Sequence, residues 1–234
     1  MAELVLTDVS LEMGNPAVPV LKSLNLTCSP GSITLLLGPN GSGKSMLIRT
    51  IIGLEPRFSG DIRWGATDVR RSPQALLKRC GVVFQNPDHQ IFGMTVAEDL
   101  CIGIPQPAEL DTSVITRLDL QPYLNTSPGT LSGGTRRRVA LAAAFHGAPE
   151  VIILDEPFAE LDYPSLQGLV TLLRAFRDAG GIVIISSHET RDIWPVTDQV
   201  LLIAAGSTVA QGSRDQVAPF IRPEYGLRPL DGGV

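Results

Sequence analysis

The octapeptide GPNGSGKS, Gly38 to Ser45, restricts this chain to few folds. It fits G-x-x-x-x-G-K-[ST] in full and lies between the apolar run SITLLLG and a segment expected to be helical from about residue 43 to 53. That strand-to-helix setting is the one the motif requires. Gly41 and Gly43 let the backbone turn tightly with its N–H groups facing inward, and the helix start behind them adds partial positive charge. Lys44 is placed to reach terminal phosphates, and the Ser45 hydroxyl can ligate Mg2+. Gly38, Pro39, Asn40, Ser42 and Met46 complete the expected phosphate cradle.

Such a cradle calls for an acidic element, and VIILDEP supplies one. Four apolar residues of a buried strand lead into Asp155 and Glu156. Two adjacent carboxylates at a sheet edge are costly without a cation beside them. Asp155 is expected to hold Mg2+ with its water shell, and Glu156 to polarise a water toward a terminal phosphate; capping of the next turn is the structural alternative for Glu156. Gln85 ends GVVFQ, where an amide can ligate the same ion, and His188 ends GIVIISSH. The carboxyl ends of parallel strands are where ligands bind in open sheets, so an imidazole there can contact a phosphate or orient a water. His89 and His146 lack that context and read as structural or surface residues.

A second anion site is legible in LSGGTRRRVALAAAF. Ser132 is a natural N-cap, and Gly133 and Gly134 expose bare N–H groups at a helix start. This helix belongs to a different part of the chain from the P-loop, so a two-fold dimer in which each such helix caps the other chain's nucleotide accounts for both sites. Arg136, Arg137 and Arg138 either form a solvated, carboxylate-paired face or contact nucleotide or partner.

The rest of the chain alternates strand and helix. ELVLTDVSLE and VLKSLNLTC alternate as strands before and after the turn GNPAVP, GDIRWG adds another, and DQVLLIAAGSTVAQG reads as a closing hairpin. The predicted fold is α/β: a P-loop NTPase core with a mostly parallel sheet, an N-terminal antiparallel β-subdomain and an inserted α-helical subdomain. One domain is expected over 1–220, with the helical part at about 86–146 and an irregular tail over 221–234. Hydrophobic residues make up 44% of the 234 and charged ones 18%, enough for a sizeable core. A net charge of −5 weighs against nucleic-acid binding by bulk attraction. Cys28, Cys80 and Cys101 are too scattered for a metal or disulfide framework and read as free thiols of a reducing cytoplasm. The longest apolar runs, ITLLL and VLLIAA, fall far short of the ~20 residues of a membrane span.

The P-loop, Gln85, LSGG, VIILDEP, AELD and SSH, in this order and spacing, resemble the ATP-binding subunit of ABC transporters across about residues 4–217. In that family two domains sandwich two ATP molecules head to tail. The resemblance implies ATP and Mg2+ as ligands, contact of Ser132, Gly133 and Gly134 with the γ-phosphate in trans, and Asp162 at the dimer interface. It makes Glu156 the general base and His188 the switch histidine. FQNPDHQIFGMTVAEDL is similar to the Gln-loop region of energy-coupling-factor and cobalt-type importers. That likeness implies three partners: a second ATPase chain, identical or related, a transmembrane coupling protein, and a separate substrate-binding membrane subunit. It places the chain peripherally on the cytoplasmic face of the membrane, with no nucleic-acid partner. Thr135 departs from the family's usual Gln, and Met13 stands where an aromatic residue often stacks on adenine. The implied function is ATP hydrolysis that powers uptake of a vitamin or transition-metal ion through nucleotide-driven dimer closure. A soluble ABC-type ATPase of a non-transport assembly, such as iron–sulfur cluster assembly, is the alternative. A small-molecule P-loop kinase is a weaker one, since it has no use for a serine acting in trans.

Overall fold

The computed structural model describes residues 2–104 and 110–230. The chain runs through β1 (Leu4–Met13), β2 (Val18–Cys28), β3 (Ser32–Leu37), α1 (Lys44–Ile51), β4 (Phe58–Trp64), β5 (Thr67–Asp68), α2 (Pro73–Leu77) and β6 (Cys80–Val83). Three helices follow, α3 (Val96–Leu100), α4 (Thr112–Arg117) and α5 (Gly133–Phe145). Then come β7 (Val151–Asp155), α6 (Tyr163–Asp178), β8 (Ile182–Ser187), β9 (Gln199–Ala204), β10 (Ser207–Ser213) and α7 (Arg214–Val217).

β1, β2, β4 and β5 form an antiparallel sheet in the order β2-β1-β4-β5. The other six strands form a sheet in the order β10-β9-β3-β8-β7-β6. Every pairing in it from β9 to β6 is parallel, and only the hairpin strand β10 runs the other way. Strands buried on both faces explain the unbroken apolar runs. Side chains still alternate with period two. Leu35 and Leu37 of β3, Leu154 of β7 and Ile185 of β8 face a core shared with α4, α5 and α6. Leu36, Ile153 and Ile184 face the opposite core, with α1 and the antiparallel sheet. Leu47, Ile48 and Ile51 anchor α1 there, all fully buried, each worth roughly 1.5–3 kcal/mol.

Helix starts follow their capping residues. Thr95 and Glu98 form a reciprocal box at α3. Asp111 caps α4 and Asp162 caps α6, and the bonds they accept from Ser113 and Ser165 hold both carboxyls below the usual range. β6 ends at Val83, two residues short of the expected GVVFQ strand. The Gln90 side chain takes over the ladder there, accepting from Phe84 N at 2.7 Å and donating to Val82 O at 2.9 Å. Beyond α7, Ile221 and Leu227 turn back into the core. Residues 231–234 of the expected tail lie outside the described residues. The three cysteines are free, and burial pushes the Cys28 and Cys80 thiols up to about 12.

Candidate functional site

Parallel register decides what meets at the carboxyl edge of the large sheet. Leu37 pairs with Ser187 and Asp155 with Ser186, so the P-loop, the acidic pair and His188 leave three neighbouring strands at the same level. Val83 pairs with Leu154, which brings the segment to Gln85 alongside. A cavity of 260 Å³ opens at this edge, lined by residues 40–46, Val20, Gln85 and Glu156.

α1 begins on Gly43 at φ 107, a left-handed conformation that glycine adopts without strain. No side chain caps this helix start, so its N–H groups stay available to an anion. Lys44 is 5% exposed and donates to Gly38 O at 2.7 Å and Pro39 O at 3.1 Å. Its Nζ lies 3.6 Å from Glu156 Oε1. Burial pulls the Lys44 ammonium below the ordinary lysine range, and Glu156 and Asp155 oppose that shift.

Glu156 stands at φ 50, in the left-handed region. A non-glycine residue held there stores backbone strain of the order of 1–3 kcal/mol, characteristic of functional positions. Its backbone N–H donates to Ser186 Oγ at 3.0 Å and Ser186 O at 3.2 Å. The same Ser186 hydroxyl donates to Asp155 Oδ1. Ser186 therefore fixes the Asp155 carboxylate and the Glu156 backbone, and only the two hydroxyls ending the otherwise apolar IVIISS hinted at it. His188 Nδ1 lies 2.9 Å from Glu156 Oε2. Glu156 Oε1 is buried without a hydrogen-bond partner among the described residues.

Ser132, Gly133 and Gly134 form the first turn of α5 and do not line this cavity. Ser132 Oγ accepts from Thr135 N at 3.2 Å, the expected N-cap bond. The arginines behind it bind within the chain. Arg136 pairs with Asp88 at 2.7 Å, Arg138 with Asp119 at 3.3 Å, and the buried Arg137 donates to Gln85 O at 2.7 Å. Met13 ends β1, 37% exposed and opposite Val18, and is not among the residues lining the cavity. Val20, which the sequence did not single out, lines it instead.

A family model described as ABC transporter matches residues 21–159. A relative from Streptomyces avermitilis, named as an ABC transporter ATP-binding protein, is 36% identical over 88% of this chain, which spans only 38% of that relative's length. The energy-coupling factor transporter ATP-binding protein EcfA of Methanothermobacter thermautotrophicus is 33% identical over 83% of this chain and 66% of its own length. The nickel import ATP-binding protein NikO of Rhodobacter capsulatus is 36% identical, covering 86% of this chain and 85% of its own. Among solved structures, an ATP-binding subunit of an ABC transporter superposes with a TM-score of 0.82 at 26% identity, over 97% of this chain and 96% of that one. The cbiO1 protein of Clostridium perfringens, part of the ABC transporter complex cbiONQ, does so at 0.75 and 28%, over 93% of each.

Proposed function

The chain belongs to the ABC transporter family of ATP-binding ATPase subunits, and from that premise we propose that it powers a membrane importer by closing as a dimer on two ATP molecules. The observation that carries this reading is the linked series Lys44–Glu156–His188, which joins the P-loop to the ends of β7 and β8 beside one cavity.

Each residue has a part in the cycle. Lys44 leans on Glu156; a triphosphate in the cavity offers Lys44 phosphate oxygens instead and releases that carboxylate. Glu156 then accepts a proton from the attacking water through Oε1, while His188 fixes the carboxylate through Oε2. Ser45, Gln85 and Asp155 are the residues that would hold Mg2+. Asp155, 3% exposed with one carboxylate oxygen held by Ser186, suits a hard cation that takes its remaining ligands from phosphate and water. Among the described residues no group of three or more His, Cys, Asp or Glu forms a self-sufficient metal cage. When bound, the ion neutralises charge on the β- and γ-phosphates.

α5 supplies the other half. Its Ser132–Gly134 turn closes over the γ-phosphate held by a partner chain, and Asp162 sits at that interface. Driving closure from 1:99 to 99:1 takes about 5.5 kcal/mol of preference for the closed state. Motion at Gln85 passes to a transmembrane coupling protein. A 320 Å³ cleft bounded by Cys80, Gln90, Ile102 and Ala143, with Phe92 and Met94 exposed at 74% and 79%, supports docking on this side. No helix among the described residues is long and apolar enough to cross a membrane, in keeping with a peripheral subunit on the cytoplasmic face. The cargo we infer is a vitamin or transition-metal ion recognised by a separate membrane subunit, and the nickel import name of the NikO relative favours the metal ion. Tagging this chain and identifying what detergent co-extracts tests the assignment: a membrane coupling protein is expected, and a soluble scaffold in its place overturns it.

A further inference from the structure

The first turn of α5 is not bare in this chain. A Cβ placed on Gly133 would lie 2.6 Å from Glu160 Oε2, and one placed on Gly134 would lie 2.7 Å from Glu160 O. Glu160 therefore rests against both glycines, with a carboxylate oxygen beside the helix start. It holds this position at φ 64, a left-handed conformation strained for a glutamate. A second observation points the same way. Arg137, one turn further along α5, is 3% exposed, and its Nε and Nη1 have no hydrogen-bond partner among the described residues. Four carboxylates offset the burial of that guanidinium, Glu160 foremost, ahead of Asp155, Asp88 and Glu156. Negative charge is thus concentrated where free N–H groups, the helix dipole and a buried cation all favour it.

We propose that the Glu160 carboxylate is a surrogate for phosphate: in the free chain it occupies the Ser132–Gly134 turn, and the partner chain's triphosphate must displace it before the dimer closes. The contact is autoinhibitory and raises the ATP concentration at which closure occurs. The inference rests on the reading of Ser132–Gly134 as the trans phosphate site. Arg137 also donates to the Gln85 carbonyl at 2.7 Å, which ties this turn of α5 to the segment that faces the cavity.

Glu160→Gln keeps the shape and removes the charge, and Glu160→Gly also removes the backbone strain. The first measurement needs no dimer. The Gly133 and Gly134 amide resonances of the nucleotide-free chain are titrated with inorganic phosphate. Half-saturation is expected at a concentration at least about threefold lower in Glu160→Gln, the effect of removing one like charge at a helix start. Equal half-saturation, or no perturbation of either amide in either chain, overturns the proposal. The second measurement reads ATP-dependent dimerisation by sedimentation in a Glu156→Gln background. A similar lowering of the ATP threshold is expected in Glu160→Gln and Glu160→Gly. If the phosphate titration shifts but neither chain dimerises, the cis contact stands and the reading of closure falls. An unchanged threshold in chains that do dimerise overturns the autoinhibitory role.

Discussion

α1 follows a glycine cap and α5 opens on glycine behind a serine cap, yet the two helix starts face different surroundings. Before α1, β3 delivers a loop whose carbonyls grip a buried lysine, and β7 and β8 bring Glu156 and His188 alongside a 260 Å³ cavity. At α5 the serine caps its own helix, the neighbouring arginines are engaged within the chain, and the adjacent anion is Glu160. The same helix-start chemistry makes a nucleotide site only where a parallel sheet edge supplies cation, acid and space together. α5 offers half of such a site, and a second chain is the natural source of the other half.

The sharpest test of the α1 side is Glu156→Gln. Removing a positioned base slows a proton-transfer step by about 10²- to 10⁴-fold. The same change removes the carboxylate that competes with phosphate for Lys44, so ATP binding is expected to persist or tighten. Phosphate release and nucleotide titration on one preparation check both halves. Hydrolysis at the normal rate would remove Glu156 from its role.

Lys44→Ala comes next in size. It deletes a charge-assisted hydrogen bond to phosphate, worth ~1.5–3 kcal/mol, so ATP affinity of the isolated chain is expected to fall about ten- to hundredfold. Ser132→Asn probes the α5 side. Asparagine caps helices as well as serine does, so thermal stability should hold. The bulkier side chain blocks close approach to a phosphate, and hydrolysis is expected to fall about tenfold, the scale of one hydrogen bond to a charged group. ATP affinity of the isolated chain should stay as it is. A parallel loss of affinity in Ser132→Asn would erase the contrast between the two helix starts.

The parts of this architecture that sequence conveys best are those with local signals. Strands buried on both faces announce themselves as apolar runs, and the P-loop, the acidic pair and His188 each close such a run, so their meeting at one edge follows from parallel pairing. What stayed hidden depends on the third dimension. Ser186 looks like any buried hydroxyl until register sets it under Asp155 and Glu156. Val20 lines the cavity, and no residue-level pattern singles out one apolar side chain among those of the paired strands β1 and β2. Arg137 and Glu160 lie in motifs that are obvious in sequence, but their proximity arises because the loop after β7 folds over the start of α5.

The smallest effect concerns the chain beyond α7, which bears on how completely the α1 side is built. Gly226 sits at φ 70 after the turn Pro223–Tyr225, and a Cβ there would meet the Pro39 Cβ at 3.0 Å. Leu227, next in sequence, is 4% exposed and packs in the core. The segment thus backs the P-loop at the residue beside Gly38, whose carbonyl holds Lys44. Gly226→Ala adds a methyl against Pro39 and forces alanine into a left-handed conformation, about 1 kcal/mol or somewhat more. For a chain of this size a loss of that order lowers Tm by about 2–4 °C. Because the pressure falls on the phosphate loop, the rise in Tm on adding ATP should also shrink. A variant that melts like the parent, with the parent's ATP response, would mean that the P-loop is held by the sheet alone and that residues 221–227 merely cover it.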